Sequence, residues 1–258
     1  MRPSLFIILL TAIALSGCPG NKNINDNKNT SNANRTVFTP PAPLKPNTVL
    51  DPNFKPCNEY YPLVPGSVAK YVMNYSSGIV ADATVVVDSS SENGVSGFTE
   101  RTQIVDRSGG FQIAQNIERH FVCEGDKVRV LSEKTESRIE NDSTTSEFNY
   151  RDNSYAMIEP SSLAQKDATW SYGFKAVFRR PGEAPAAPDA PVVVVFTVKG
   201  EEELTLPTGK VKALKIERKV GENRVTDYYT RGLGLVKRVA AEGTSWELKE
   251  YSGLKPVE

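Results

Sequence analysis

Apolar and polar residues alternate with a period of two along most of the chain after residue 57. Successive side chains of a β-strand point to opposite faces, so this alternation predicts strands that bury one face. In "SVAKYVMNYSS" one face contains Ala69, Tyr71, Met73 and Tyr75, and turns rich in Gly or Pro separate such stretches. The pattern predicts a mainly β fold with little helix, an antiparallel meander of about ten to twelve strands forming a strongly curved sheet or half-barrel.

The first residues follow a different pattern. Met1–Pro3 include a positive charge, and the stretch from Leu5 to Leu15 is apolar. This stretch is shorter than the roughly 20 residues that cross a bilayer, and its length is typical of a secretory signal. The junction "LSGC" then resembles the bacterial lipobox, in which a cysteine receives a diacylglyceryl group. We therefore predict a signal peptide over 1–17 and lipidation of Cys18; an ordinary signal peptide that contains a cysteine is the alternative.

The stretch after Cys18 offers almost nothing to a core. Asparagine alternates with Lys, Ile and Asp, and a proline-rich run follows. Such sequence buries too little apolar surface to offset the entropy lost on ordering. We predict that 18–56 is a lipidated, disordered tether and that 57–258 is a single antiparallel β domain. The expected location is the cell envelope, anchored by lipid and facing the periplasm or the surface. Pro19, where Asp would favour inner-membrane retention in enterobacteria, favours the outer membrane.

Charge and cysteine content narrow the function further. Lys and Arg number 31 and Asp and Glu number 31, so the net charge is zero and no basic stripe predicts a nucleic-acid partner. The chain has three cysteines, and lipidation of Cys18 leaves Cys57 and Cys123. In an oxidising envelope an even remainder predicts a disulfide. Two buried free thiols, or a pair too far apart to bond, are the alternatives.

Three motifs together resemble segments of a group of bacterial envelope proteins. They are "YYPLVPGSVAKY", "LTLPTGKVKALKIE" and "YYTRGLGLVKR". Proteins with such segments are described as TapB-like or as domains of unknown function, and they are similar in fold to the lipoprotein carriers LolA and LolB. The resemblance implies a LolA-like half-barrel and transfers no catalytic residue. The tryptophan that usually follows the entry glycine is absent here, where Val68 and Tyr71 stand nearby.

The sequence contains no recognisable catalytic or metal motif. His120 is the single histidine, and strand parity places it with Asn116 and Glu118 on a polar, solvated face. No Cys-x-x-Cys pair or second histidine stands at ligand spacing, so we expect no metal and no cofactor. The protein is therefore predicted not to be an enzyme. An envelope hydrolase built from converging carboxylates is the least favoured hypothesis.

The leading hypothesis is a membrane-anchored envelope lipoprotein whose non-enzymatic β domain binds an apolar ligand such as lipid. The candidate ligand-binding residues are Tyr71, Val85, Phe111, Ile117, Trp170 and Trp246. The alternative for these side chains is a closed core, because aromatic stripes are the usual material of protein cores. The alternative function is docking of an envelope protein partner, through a sheet edge or through the proline-rich loop at 181–191.

Overall fold

The computed structural model describes residues 41–92, 94–107, 113–139, 142–158, 160–185 and 191–257. Ala42–Glu258 form one compact unit, in which the described residues contain thirteen strands and one four-residue helix, α1 (Pro160–Leu163). The strands are β1 (Val68–Asn74), β2 (Val80–Glu92), β3 (Val95–Asp106), β4 (Ile113–Glu124), β5 (Lys127–Ile139), β6 (Asp142–Tyr150), β7 (Tyr155–Met157), β8 (Thr169–Arg179), β9 (Val192–Leu206), β10 (Gly209–Val220), β11 (Asn223–Thr230), β12 (Gly234–Ala240) and β13 (Ser245–Ser252).

The alternation in the sequence is realised as one-sided burial of the strands. Along β12 every second residue from Gly234 to Ala240 is buried, and along β1 the buried residues are Ala69, Tyr71 and Met73. The predicted mainly β, antiparallel fold is confirmed. The polar stretch after residue 133, which periodicity left ambiguous, forms the second half of β5 and then β6.

The sheet closes on itself. Each strand pairs antiparallel with its neighbours in the order β1-β2-β3-β4-β5-β6-β8-β9-β10-β11-β12-β13, and β13 pairs back to β1. The pairing of β4 with β5 runs from Ile113↔Ile139 to Glu124↔Lys127 and completes the ring. The short β7 pairs with β5 on the same side as β6. The result is a twelve-stranded barrel, so the sheet that was predicted to be strongly curved or half-closed is fully closed.

A strap of residues 57–64 lies across one end of the barrel. At one side Asn58 is fully buried, and its side-chain amide donates to the carbonyls of Asp126 and Ile158 at 2.7 and 2.9 Å. At the opposite side the carbonyl of Glu59 accepts from the amide of Gly232 at 2.7 Å, in the turn between β11 and β12. The strap therefore joins the β4–β5 turn to the β11–β12 turn, half the ring away.

The motif "TRGLGL" forms the turn on which this strap rests. Gly232 and Gly234 have φ angles of +77° and +79°, a region that residues with a Cβ resist. A Cβ on Gly232 would also overlap the carbonyl oxygen of Lys255, and one on Gly234 would lie 3.1 Å from Cδ of Pro62. Glycine is thus required both by the turn and by the close approach of the strap and the C-terminal residues.

The segment before the strap is attached to the outer face of the barrel. The Asp88 carboxylate on β2 accepts from the amides of Asn47 and Thr48 at 2.6 and 2.9 Å, and Arg101 on β3 donates to the carbonyl of Lys45 at 2.9 Å. The predicted tether, 18–56, therefore includes residues that contact the sheet. The groups that the tether contributes to these three bonds are backbone amides and a carbonyl, which no side-chain pattern reveals, and the Phe54 ring adds an edge contact with Phe98. The predicted signal peptide and Cys18 lie outside the described residues. Within the described part of the chain, no helix is both long and apolar enough to span a membrane.

Candidate binding site in the barrel interior

Three of the predicted ligand-binding residues lie in one packed cluster. Tyr71, Ile117 and Trp246 are only 5%, 2% and 3% exposed, and Val85 packs against the same cluster. The rings of Tyr71 and Trp246 are 5.9 Å apart, and the Tyr71 hydroxyl donates to the carbonyl of Leu235 at 2.8 Å. Side chains this deeply buried contact protein atoms on nearly every side. This part of the interior is therefore a filled core, the alternative that the sequence left open.

Trp170 lies elsewhere, and Phe111 lies outside the described residues. The Trp170 ring stacks on Phe196 with centroids 4.8 Å apart and an interplanar angle of 3°. It belongs to a run of ring contacts across β6, β8 and β9 that we call the aromatic belt: Phe148, Tyr150, Trp170, Tyr172, Phe174 and Phe196. The belt is thus a second aromatic region, separate from the cluster around Trp246.

A row of three charged residues crosses β3, β4 and β5 on the inner face. Glu100, Arg119 and Glu133 are direct cross-strand partners, and Arg119 has the same parity as the buried Ile117 and Phe121. Arg119 Nη1 lies 3.1 Å from Glu100 Oε1, and its Nε lies 2.6 Å from Glu133 Oε2. We call these three residues the acidic row, because two carboxylates flank one guanidinium.

Two tyrosines complete the acidic row. The hydroxyl of Tyr61, from the strap, donates to Glu100 at 3.3 Å, and that of Tyr150, from the aromatic belt, donates to Glu133 at 3.2 Å. Burial, and then the neighbouring carboxylates, raise the pKa of both tyrosines well above the ordinary value. Both hydroxyls are therefore protonated donors at neutral pH.

The acidic row keeps accessible surface although it faces inward. The side chains of Arg119 and Glu100 are 20% and 13% exposed, and Tyr61, Tyr150 and Tyr172 are half-buried. These residues lie on the inner face of the ring or, for Tyr61, in the strap at its end, and protein atoms cover their side chains only in part. The space beside the acidic row and the aromatic belt is therefore the candidate binding site.

A second charged row crosses β10, β11 and β12 and has the opposite sign. Asp227 is fully buried between Arg218 and Arg238, which are 5% and 8% exposed. Arg238 Nε donates to Asp227 Oδ1 at 2.6 Å, and the Arg238 guanidinium lies 5.5 Å from the centroid of the Trp246 ring. Arg218 Nε lies 3.1 Å from Asp227 Oδ2. We call these three residues the arginine row.

Tyr172 connects the two rows. Burial raises the pKa of its phenol, the Arg218 charge opposes that rise, and Glu133 of the acidic row adds to it. For Asp227, burial alone would raise the pKa of the carboxyl, but Arg218 and Arg238 together hold it below its ordinary value. Asp227 is therefore an anion at neutral pH, and the arginine row has one excess positive charge.

Sequence reasoning missed both rows, although a signal was present. Charged residues occupy positions of apolar parity in four strands: Arg119 with Ile117, Arg218 with Ile216, Asp227 with Val225, and Arg238 with Val236. A charge on the buried face of a strand needs a partner on the next strand. Pairing these exceptions would have pointed to the arginine row, where β10, β11 and β12 follow one another along the chain.

The remaining predicted residues lie away from this site. Cys57 and Cys123 form a disulfide, with Cα atoms 6.2 Å apart, that joins the first residue of the strap to β4. His120 lies on the outer face, where Nδ1 is 3.1 Å from Thr99 Oγ1 and Nε2 is 3.2 Å from Glu118 Oε1. Among the described residues no three His, Cys, Asp or Glu side chains come together as metal ligands would.

The comparisons with known proteins add one structural likeness. No family model matches the sequence, and no curated protein is significantly similar to it. The chain is similar to the crystal structure of a protein from Bacteroides fragilis NCTC 9343, described as exported and as having a YmcC-like fold. The alignment has 10% identity and a TM-score of 0.45, and it covers 76% of this chain and 100% of that chain. At this level the likeness is not evidence of a common function, and the resemblance to LolA and LolB stays a prediction.

Proposed function

We propose that this protein is a cell-envelope lipoprotein, anchored through lipid on Cys18, whose barrel binds an apolar ligand such as a lipid and catalyses no reaction. The observation that supports the proposal is the partial exposure of Glu100, Arg119, Tyr150 and Tyr172 on the inner face of the closed ring, whereas the other four rings of the belt are buried. Binding sites for small molecules combine apolar walls with a few oriented polar groups. The belt supplies the wall, and the hydroxyls of Tyr61 and Tyr150 are among the polar groups.

The proposed site lies apart from the packed cluster that contains Tyr71, Ile117 and Trp246. Trp170 belongs to the aromatic belt, which forms the wall of the proposed site. A ligand in this site would contact the belt and the acidic row. It would not reach the Trp246 ring, because that ring is enclosed by Tyr71 and Arg238.

The two tryptophans of the chain allow a direct test of ligand position. In Trp246→Phe the remaining emission comes from Trp170, and in Trp170→Phe it comes from Trp246. A phospholipid with brominated acyl chains, added to the full chain purified in detergent, should quench the first variant and leave the second nearly unchanged. Equal quenching of both would place the lipid elsewhere. Absence of quenching in both, together with no lipid in organic extracts of the purified protein, would overturn the proposal.

The membrane anchor is tested separately. In cells grown with labelled palmitate, the wild-type chain should incorporate label and sediment with membranes. Cys18→Ser should lose both properties, and Cys57→Ser, which keeps the "LSGC" cysteine, should retain the label. A Cys18→Ser protein that still carries label would contradict the anchor.

Docking of an envelope protein is the second hypothesis, and the closed ring limits the surfaces through which it could occur. Every strand from β1 to β6 and from β8 to β13 has a neighbour on both sides, so the described residues offer no long free edge for strand addition. The proline-rich loop is then the docking element, and its described part, 181–185, is exposed. Deletion of that loop separates this hypothesis from ligand binding, because quenching of Trp170 should survive the deletion.

A further inference from the structure

The arginine row contains a buried cation with unused hydrogen-bond donors. Arg218 is 5% exposed, yet its Nη2 meets no acceptor among the described residues. Its Nε lies 3.1 Å from Asp227 Oδ2 without the geometry of a hydrogen bond. Leaving a charged donor buried and unpaired is costly, because water no longer solvates it. Arg218 therefore has capacity for an acceptor that the described chain does not supply.

The net charge of the arginine row is also positive. Asp227 already accepts from Arg238 at 2.6 Å, and these two residues form a neutral pair. Arg218 is the third member and leaves this row with one positive charge in excess, whereas the acidic row has one negative charge in excess on the inner face of the same barrel. A guanidinium binds the two oxygens of a carboxylate or phosphate through parallel hydrogen bonds.

Arg218 also adjoins the aromatic belt. It is the direct cross-strand partner of Phe196, whose ring stacks on Trp170 and lies 5.4 Å from that of Tyr172. Nε1 of Trp170 is another buried donor without an acceptor among the described residues. The unsatisfied donors of Arg218 and Trp170 thus lie where the aromatic belt meets the arginine row, and Nε1 of Trp246 is a further one, in the packed cluster beside Arg238.

We propose that Arg218 binds the anionic group of the ligand, so that the barrel selects singly charged amphiphiles, with a carboxylate or a phosphodiester head, over uncharged ones. This inference rests on the proposed function and names the class of its ligand. Glu100 and Glu133, at the acidic row, would repel the same anion, so the head points to Arg218 and the apolar chain follows the belt.

The test compares matched ligands in the Trp246→Phe background of the full chain, with quenching of Trp170 as the measurement. Dibrominated stearic acid should bind about tenfold or more tightly than its methyl ester, because only the acid offers a charged acceptor. A second pair, brominated phosphatidylglycerol and brominated diacylglycerol, tests in the same way whether a phosphodiester head is bound. The two pairs together show whether the preferred head is a carboxylate or a phosphodiester. If acid and ester bind equally, and the lipid pair does too, the inference fails while the proposed function stands. If none of the four binds, the proposed function itself fails.

Arg218→Met shows whether this residue is responsible. The variant should bind acid and ester equally, whereas Arg224→Met, an exposed arginine on β11, should keep the preference. Arg218→Met should also melt no lower than wild type without ligand, since it leaves the neutral pair of Asp227 and Arg238. A lower melting temperature with an unchanged preference would make Arg218 structural and overturn the assignment. If Arg218→Met does not fold, the comparison of acid with ester on the unmodified row still decides.

Discussion

The acidic row and the arginine row both place alternating charges on the inner face of the barrel, and their net charges have opposite signs. Each places three alternating charges on three adjacent strands inside one barrel, two acids around Arg119 in the first and two arginines around Asp227 in the second. They differ in access to solvent: the Arg119 side chain is 20% exposed, whereas Asp227 is fully buried. Water can therefore screen the excess negative charge of the first row, whereas the excess positive charge of the second is compensated mainly by protein groups.

The largest expected effect is a loss of folding stability at alkaline pH, which involves buried tyrosines beside both rows and in the core. Burial raises the pKa of Tyr150 beside the acidic row and of Tyr229 beside Asp227, and burial raises that of Tyr75 in the core to about 12. The unfolded chain releases these protons near pH 10, so the stability they contribute is present below pH 10 and is lost as pH rises through the folded values. Tyrosinate absorbance and circular dichroism should change together above about pH 10. Ionisation of these tyrosines in a chain that stays folded would contradict their burial.

Asp227→Asn should be the most damaging single change within the rows. It removes the carboxylate that lies between the buried guanidinium groups of Arg218 and Arg238, and we expect the free energy of unfolding to fall by about 3–5 kcal/mol. Urea denaturation measures the loss. Glu217→Gln is the matched control, since Glu217 pairs with Arg224 at the surface and should change stability by less than about 1 kcal/mol. A loss no greater than that of the control would show that Asp227 is not the centre of the row.

Arg119→Met should cost less, about 2 kcal/mol, because the carboxylates it abandons keep some contact with solvent. Urea denaturation of both variants at neutral pH measures the two losses. A loss for Arg119→Met as large as that for Asp227→Asn would remove the distinction between the rows.

The smallest expected effect concerns Asp88 and Arg101, a balanced pair on the outer face. Burial opposes ionisation of Asp88, but the hydrogen bonds from Arg101 and from the amides of Thr48 and Asn47 hold the pKa of its carboxyl below the ordinary value. Its contribution is therefore present above about pH 4 and is lost as pH falls through the lowered value. Asp88→Asn should cost about 1 kcal/mol and raise hydrogen exchange at the amides of Asn47 and Thr48. Asp82→Asn, an exposed partner of Arg107, should leave those amides protected.

The sequence was sufficient for the strands and insufficient for their closure. Periodicity identified the buried face of β1 because each side chain obeys its own strand's parity. The pairing of β6 with β8 and the placement of β7 beside β5 depend on register between distant segments, which periodicity does not encode.

For the candidate site too, the sequence indicated single residues but not the contacts between distant strands. Trp170 was identified as lining the interior because it is large, aromatic and on the apolar face. Whether an aromatic or aliphatic residue meets space or protein depends on its neighbours across the ring, so the sequence left both a cavity and a closed core open for Trp246 and Ile117, which lie in the packed cluster. Arg218 and Asp227 were overlooked because each charge is unremarkable alone and becomes informative only when paired across strands.

The pairing of the first strand with the last sets the order in which this molecule can fold. Val68 of β1 is the partner of Ser252 of β13, so the contact that joins them spans most of the domain. Contacts between residues so distant in sequence form slowly. Until the final eight residues of β13 are synthesised, β1 and β12 each present a bare edge to any other unfinished chain. A chain truncated before Ser245 would therefore form an open sheet with exposed, aggregation-prone edges and not a smaller barrel.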